Sequence, residues 1–384
     1  MGANKWLIFV IMAITLVYAM GKKNRLEKKH CIQIVTIILT CFSGFRSWRM
    51  GDMFHYCNTY LECNMPNWQL SYVVNGDTIG LQLFLRSAGQ MGISFEVCLF
   101  LIAAFVAITL GILVYRYSPS PYWSYVIYLA MGFYISTFNV LKQAIAMGFI
   151  VLAMVAVIER KPAPFLLWVF IASLFHTPAL VFLVAYPFAN KQIDWSYFLM
   201  IVIMAAAVFL FRDEIVRQIG SVYYEDRVEF EAAQILGGRA IMMVMILAVA
   251  LIFRPLRNYD TLYRQVFNIM ILAVIIQCFS VYDNVFTRLA DYFYQFVMLF
   301  IPLMLQSGWE QARIYPSHAE EIRYWPPKIL FIVQMGITLF SVWYYFSTVN
   351  GSSALLSGFH FYWEETGVSS LELLEEALNN FGGN

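Results

Sequence analysis

The chain has 384 residues, 61% hydrophobic and 13% Asp, Glu, Lys or Arg, against about 45–50% and about 25% in soluble domains. These proportions, with a mean hydropathy of +0.66, exclude a soluble globular enzyme, a disordered chain and a basic nucleic-acid binder; a polytopic membrane protein remains. The net charge of +1 supplies no global field to steer an anionic partner.

A bilayer core of about 30 Å asks for about 20 apolar residues per helix. Apolar stretches fall near 5–20, 31–45, 97–115, 122–138, 140–158, 163–188, 195–211, 240–253, 266–282, 286–305 and 328–346. They predict an all-α polytopic membrane protein of about 11–12 transmembrane helices. A single integral membrane domain is expected over 1–346, with an acidic segment at 347–384 carrying a short amphipathic helix at Ser370–Leu378.

The basic cluster Lys22, Lys23, Arg25, Lys28 and Lys29 follows the first apolar run. It does not precede that run, as it would in a cleaved signal. The positive-inside rule makes the cluster cytoplasmic, so the second helix exits to the outer face near Arg46. Counting onward, 116–121 is inside, the turn Asn139–Gln143 is outside, and Glu159–Lys161 is inside. The stretch 163–188 is either one tilted helix or two short ones broken at Thr177–Pro178. Proline removes a backbone donor and drives the preceding residue out of helical geometry. The broken form also keeps the later basic loops inside, and is preferred. Large external loops then fall at about 46–95 and 212–238. In the first, Thr78–Leu85 and Met91–Phe95 are apolar enough to lie on the bilayer surface.

The six cysteines show no C-x-x-C or zinc spacing. Cys57 and Cys63 share one loop, where a pair is conceivable in an oxidising compartment, but free thiols are preferred.

Charged residues at apolar boundaries carry the chemical information, because each costs about 2.5–3.5 kcal/mol at a helix centre. Arg46 and Arg49 flank the second helix exit. They either snorkel to headgroups or hold phosphate, and Asp52 beside them weighs against snorkelling alone. Asn139, Lys142 and Gln143 occupy an outer turn. Lys142 opens an apolar helix, where a cation opposes the helix dipole, which suggests an external anion. His176 abuts the expected break and is either a core histidine or a base. Arg288 begins a late helix at the outer face, where Asp291 is three residues on and able to pair with it. Arg239 closes the second outer loop after Gly237–Gly238. Guanidinium groups bind phosphate oxygens bidentately, so a pyrophosphate suits such a set. No Walker loop, G-x-G-x-x-G, H-E-x-x-H or G-x-S-x-G occurs, and the inner face has no equivalent embedded cluster.

An ordered set of motifs runs through these residues: Arg49-Met-Gly51-Asp52 with Tyr56; Asp77-Thr-Ile-Gly80; Asn139-Val-Leu-Lys142-Gln143; Ile171-Ala172 through His176-Thr177-Pro178-Ala179-Leu180; and Arg288 with Tyr292-Phe293. From about residue 30 to 305 the set resembles the EpsG-type family of Wzy-like polysaccharide polymerases. Two positions depart from the family pattern: Lys142 stands where an arginine is usual, and Leu81 where an aromatic is usual.

The resemblance implies a GT-C-like fold and a glycosyltransferase of the plasma (inner) membrane with its site facing outward. A glycan on undecaprenyl pyrophosphate passes to a sugar hydroxyl of another lipid-linked repeat. Arg49, Arg288 and either Lys142 or Arg239 are expected to stabilise the leaving pyrophosphate, with Arg46 nearby. His176 or Asp52 is expected to take the hydroxyl proton. Asn139, Gln143, Asp77, Tyr56 and Tyr292 are expected to position substrate, and Trp48, Tyr56 and Trp68 either stack on sugars or anchor at the interface. Neither metal nor cofactor enters this expectation. The implied partners are undecaprenyl-pyrophosphate-linked oligosaccharides and membrane lipids, with a repeat-unit flippase and a chain-length regulator, and no nucleic acid. A transporter or flippase of lipid-linked saccharides and a membrane acyltransferase are the alternatives.

Overall fold

The computed structural model describes residues 2–21, 24–49, 52–69, 79–192, 237–252, 261–314, 327–351, 361–364 and 369–382, with a few positions between 195 and 214. Most of the apolar stretch at 195–211 and of the loop at 212–238 lies outside them, as do Asp77 and the last two residues.

Among the described residues the regular structure is helical. In order come α1 (Gly2–Met20), α2 (Arg25–Gly44), α3 (Met53–Cys63), α4 (Ile79–Gln90), α5 (Phe95–Tyr117), α6 (Pro121–Ala130), α7 (Phe133–Ser136), α8 (Leu141–Ile158) and α9 (Pro162–Phe175). A 3-10 turn (Thr177–Val184) leads to α10 (Ala185–Ala189). Then follow α11 (Gly238–Ile252), α12 (Thr261–Gln277), α13 (Asn284–Tyr294), α14 (Val297–Ile314), α15 (Pro327–Gly351) and α16 (Ser370–Gly382).

The boundaries have local causes. Asn24 Oδ1 accepts from the Glu27 N–H at 2.8 Å and Asn24 Nδ2 donates to Glu27 Oε1 at 2.9 Å. This satisfies an otherwise orphaned donor at the start of α2. Proline opens α6 and α9, where its missing N–H costs nothing. The apolar stretch at 122–138 is not one helix: it breaks at Gly132, whose φ of +82° glycine alone adopts without strain. The break expected at Thr177–Pro178 is present. α9 stops at Phe175, and His176 is extended, with φ −154° and ψ 101°.

By length and composition, four helices among the described residues can cross a bilayer: Phe95–Tyr117, Leu141–Ile158, Thr261–Val281 and Lys328–Asn350. α13 and the first part of α14 pass the same test together, bent by 48°. Shorter apolar helices lie at Trp6–Met20, Pro162–Phe175, Thr177–Ala189 and Gly238–Leu251. The protein is an all-α polytopic membrane protein.

The chain divides into two compact units. The first comprises Met1–Ala156, Lys161–Leu180 and Val333–Asn384. Here α2 packs along α5, α1 along α6, and α4 against α3, α5 and α9. α4 therefore has a protein-packed face besides any lipid-facing one. A buried cluster of Trp48, Met53, Cys57, Tyr60, Leu81, Leu85, Phe95, Cys98, Leu141 and Leu374 joins α3, α4, α5, α8 and α16. The carboxy-terminal segment returns to this unit. The Tyr362 N–H donates to the Phe45 carbonyl at 3.1 Å, an isolated antiparallel bridge links Arg46 with Phe361, and Leu374 is 3% exposed.

The second unit comprises Val157–Arg160 and Val181–Ile332. In it α12 packs against α13 and α14. Buried Asn268 on α12 donates to the carbonyls of Phe188, Ala189 and Lys191 at 3.0–3.1 Å, satisfying the orphaned end of α10. Phe182 packs on Phe293 and Phe296, with centroids 5.1 and 5.9 Å away.

Candidate functional site at the helix ends

α2 ends at Gly44, and two residues on Arg46 is almost fully buried at 3% exposure. Its Nη1 donates to the Ser43 carbonyl at 2.6 Å and Ser43 Oγ at 2.7 Å, and its Nη2 donates to the Thr137 carbonyl at 3.2 Å. The guanidinium lies 5.4 Å from the Phe138 ring centroid. Burial pulls its pKa down, to about 10, which leaves it charged at neutral pH. Among the described residues, carbonyl dipoles and a ring face surround this charge in place of a carboxylate. This is the geometry of a clamp between chain segments. A phosphate reaching it would have to displace backbone partners.

Arg49 is differently placed. It is exposed, and its guanidinium carbon lies 4.5 Å from the centroid of the Trp48 ring. Trp48 itself is 4% exposed, so of its two expected roles, sugar stacking and interfacial anchoring, the first has little open ring face to use. Trp68 is half-buried, with Arg86 4.5 Å from its ring centroid and its Nε1 donating to Gln82 Oε1 at 3.3 Å. Asp52 is exposed at the start of α3, and its carbonyl accepts from the Tyr56 N–H at 3.3 Å. Tyr56 packs at the edge of the buried cluster.

The turn after α7 delivers the next group. Thr137 Oγ1 donates to the Tyr134 carbonyl at 2.6 Å, and the Asn139 N–H donates to the Ser136 carbonyl at 3.1 Å. Asn139 and Gln143 are buried and Lys142 is half-buried. Lys142 sits in the first turn of α8, the positive end of the helix dipole, where its ammonium adds to a field that favours an anion.

His176 is half-buried at the end of α9, and its N–H donates to the Ala172 carbonyl at 2.9 Å. Its backbone setting depends on a close approach: a Cβ built on Gly80 of α4 would stand 2.8 Å from the Leu174 carbonyl oxygen. Only glycine lets α4 press that near to the residues preceding His176.

Trp48, Leu141 and Phe175, the immediate chain neighbours of Arg49, Lys142 and His176, all belong to or pack against the one buried cluster. Residues scattered over more than a hundred positions therefore flank a common apolar centre inside the first unit.

In the second unit, Arg239 and Asp291 form an ion pair, with side chains 22% and 14% exposed. Arg239 also lies 5.0 Å from the Tyr294 ring centroid. Asp291 thus takes Arg239, 52 positions away, as its ion-pair partner. Arg288, the partner expected from the sequence three positions away, also interacts electrostatically with Asp291. Arg288 is exposed on α13 and Tyr292 is fully buried. Asp283 Oδ1 accepts from the Val285 N–H at 2.6 Å and fixes the start of α13. A buried tyrosine has little surface left with which to position a substrate.

Sequence reasoning missed Glu96. It accepts from Trp48 Nε1 at 2.7 Å and from the Ser370 N–H at 3.1 Å, and also bonds the Ser370 hydroxyl. The only local hint was an acid in the first turn of a long apolar helix. Cys57 and Cys63 are unpaired and buried on α3, and burial pushes both thiols up to about 12.

Fold and side chains together define a polytopic helical membrane protein with exposed and half-buried cations at helix ends. The EpsG family matches residues 29–313, most of the chain, and the chain belongs to that family. Membership in that family points to a polysaccharide polymerase-like role, of the glycosyltransferase-like kind associated with the family. No curated protein and no solved structure matches it.

Proposed function

We propose that this protein transfers a glycan from a polyprenyl pyrophosphate to a sugar hydroxyl of another lipid-linked repeat, at the outer face of the plasma membrane. The acceptor oxygen attacks the anomeric carbon. The new glycosidic C–O bond forms as the bond from that carbon to the pyrophosphate oxygen breaks. The pyrophosphate leaves with the electron pair, and the hydroxyl proton passes to His176 or Asp52. Arg49 and Lys142 stabilise the charge that grows on the leaving group, in the manner of preorganised donors aimed at a developing anion.

The observation that carries this reading is the shared cluster beneath Arg49, Lys142 and His176. That shared core, to which Trp48, Leu141 and Phe175 contribute, supports reading the two cations and the imidazole as one group. Arg46, buried and bonded to the Thr137 carbonyl, acts as a support, while Arg239 is paired with Asp291 within the second unit. Arg288, exposed on α13, is a further phosphate ligand in this reading. The lipid-linked repeats would be delivered by a flippase, and a chain-length regulator would act on the product.

Proteoliposomes given purified lipid-linked repeats test the reaction: elongation is expected, while translocation or acyl transfer alone overturns it. In cells, Arg49→Ala, His176→Ala and Arg288→Ala should each leave short products on gels although the protein inserts normally. Full-length polymer from both Arg49→Ala and His176→Ala removes the site assignment.

A further inference from the structure

Arg49 rests on a relay that reaches the carboxy-terminal helix. The guanidinium lies over the Trp48 ring, 4.5 Å from its centroid. An indole has a single N–H, and that of Trp48 donates to Glu96 Oε1 at 2.7 Å. The same oxygen accepts from the Ser370 N–H at 3.1 Å, while the Ser370 hydroxyl bonds the other carboxylate oxygen. Ser370 Oγ in turn accepts from the Phe95 N–H at 2.9 Å. Leu374, one turn further along α16, is buried in the same cluster as Trp48.

We infer that Glu96, held in place by Ser370, is a positioning residue that fixes the Trp48 ring and thereby aims Arg49 at a diphosphate-class anion. The inference rests on the proposed function in taking Arg49 as an anion ligand. Its physical basis is entropic. An arginine side chain gives up rotamer entropy when it is ordered. A guanidinium already stacked on an anchored ring has lost part of that freedom before the ligand arrives. Trp48 is anchored at its N–H and buried on α3's side of the core, so its plane is not free to turn. The carboxy-terminal segment is thereby part of the site's framework.

Calorimetric titration of the purified full chain with inorganic pyrophosphate tests this. Arg49→Ala should bind about tenfold more weakly, the loss of one charge-assisted contact. Glu96→Ala should bind about three- to fivefold more weakly, the scale of a lost cation–π preorganisation. Glu96→Gln keeps one acceptor and should recover part of that loss. Ser370→Ala removes only a hydroxyl and should cost about twofold; it carries the test if Glu96→Ala fails to fold. The decisive arm is the double variant Arg49→Ala/Glu96→Ala, which should bind no worse than Arg49→Ala. Wild-type affinity in both Glu96→Ala and Ser370→Ala, or an additive loss in the double variant, overturns the positioning role while leaving Arg49 as a ligand. Wild-type affinity in Arg49→Ala overturns the proposed site, and the positioning role with it.

Discussion

Arg46 Nη2 donates to the carbonyl of Thr137 across 91 positions of sequence, 3.2 Å away. That bond ties the end of α2, which leads into Arg49, to the turn that leads into Lys142. Arg46→Ala would strand the Thr137 and Ser43 carbonyls in a buried setting and cost about 2–4 kcal/mol of stability. Arg49→Ala, at an exposed position, should cost under about 1 kcal/mol. Thermal unfolding of the two purified variants separates a structural arginine from a functional one. Equal losses would contradict the distinction.

Lys142 stands where the family usually has arginine, and its place in the first turn of α8 calls for charge before fork geometry. Lys142→Arg should therefore sustain wild-type polymer length, and Lys142→Gln should reduce turnover about tenfold or more, measured as repeats added per minute in proteoliposomes. A fully active Lys142→Gln would detach this residue from the chemistry.

At Gly80 the nearest obstruction is backbone, not a flexible side-chain end. Gly80→Ala must push α4 away from α9 or shift Leu174, the second residue before His176. The expected result is a stability loss of about 1–3 kcal/mol, the overpacking range, together with shortened polymer. Wild-type melting and wild-type polymer would show that α4 and α9 yield freely there.

The Arg239–Asp291 pair is part-buried. Asp291→Ala takes away the carboxylate that Arg239 pairs with, so it should destabilise by about 2–3 kcal/mol. The double variant Arg239→Met/Asp291→Leu should regain most of that loss, because burying an apolar pair carries no desolvation penalty. Denaturation midpoints of the single and double variants give the coupling directly.

Burial raises the Cys57 and Cys63 thiols to about 12, above the ordinary value of 9.0. Both remain protonated in the folded protein at pH 8, and the thiolate is the reactive form. Maleimide should accordingly label them slowly until the protein is denatured, as read by mass spectrometry of the α3 peptide. The linkage has a definite sign: the unfolded thiols ionise first, so their contribution to stability is complete below about pH 9 and is lost as pH rises toward 12. Stability that rises over that interval would contradict the assignment.

The sequence by itself determined the membrane class, the position of most helices, and the break before Pro178. The reason is that apolar run length and proline sterics act within a few residues. It also singled out Arg46, Arg49, Asp52, Lys142, His176, Arg239 and Arg288 as candidates, because polar groups at apolar boundaries stand out without any knowledge of neighbours. The break at Gly132 was less legible: glycine inside an apolar run is common, and only the positive φ betrays the turn. Partner choice was decided by tertiary structure alone. Asp291 took a distant arginine, Arg46 a distant carbonyl, and Trp48 a carboxylate that a serine near the far end of the chain helps to hold. A buried polar group is satisfied by whichever segments the packing of helices brings beside it, and that packing depends on the whole chain.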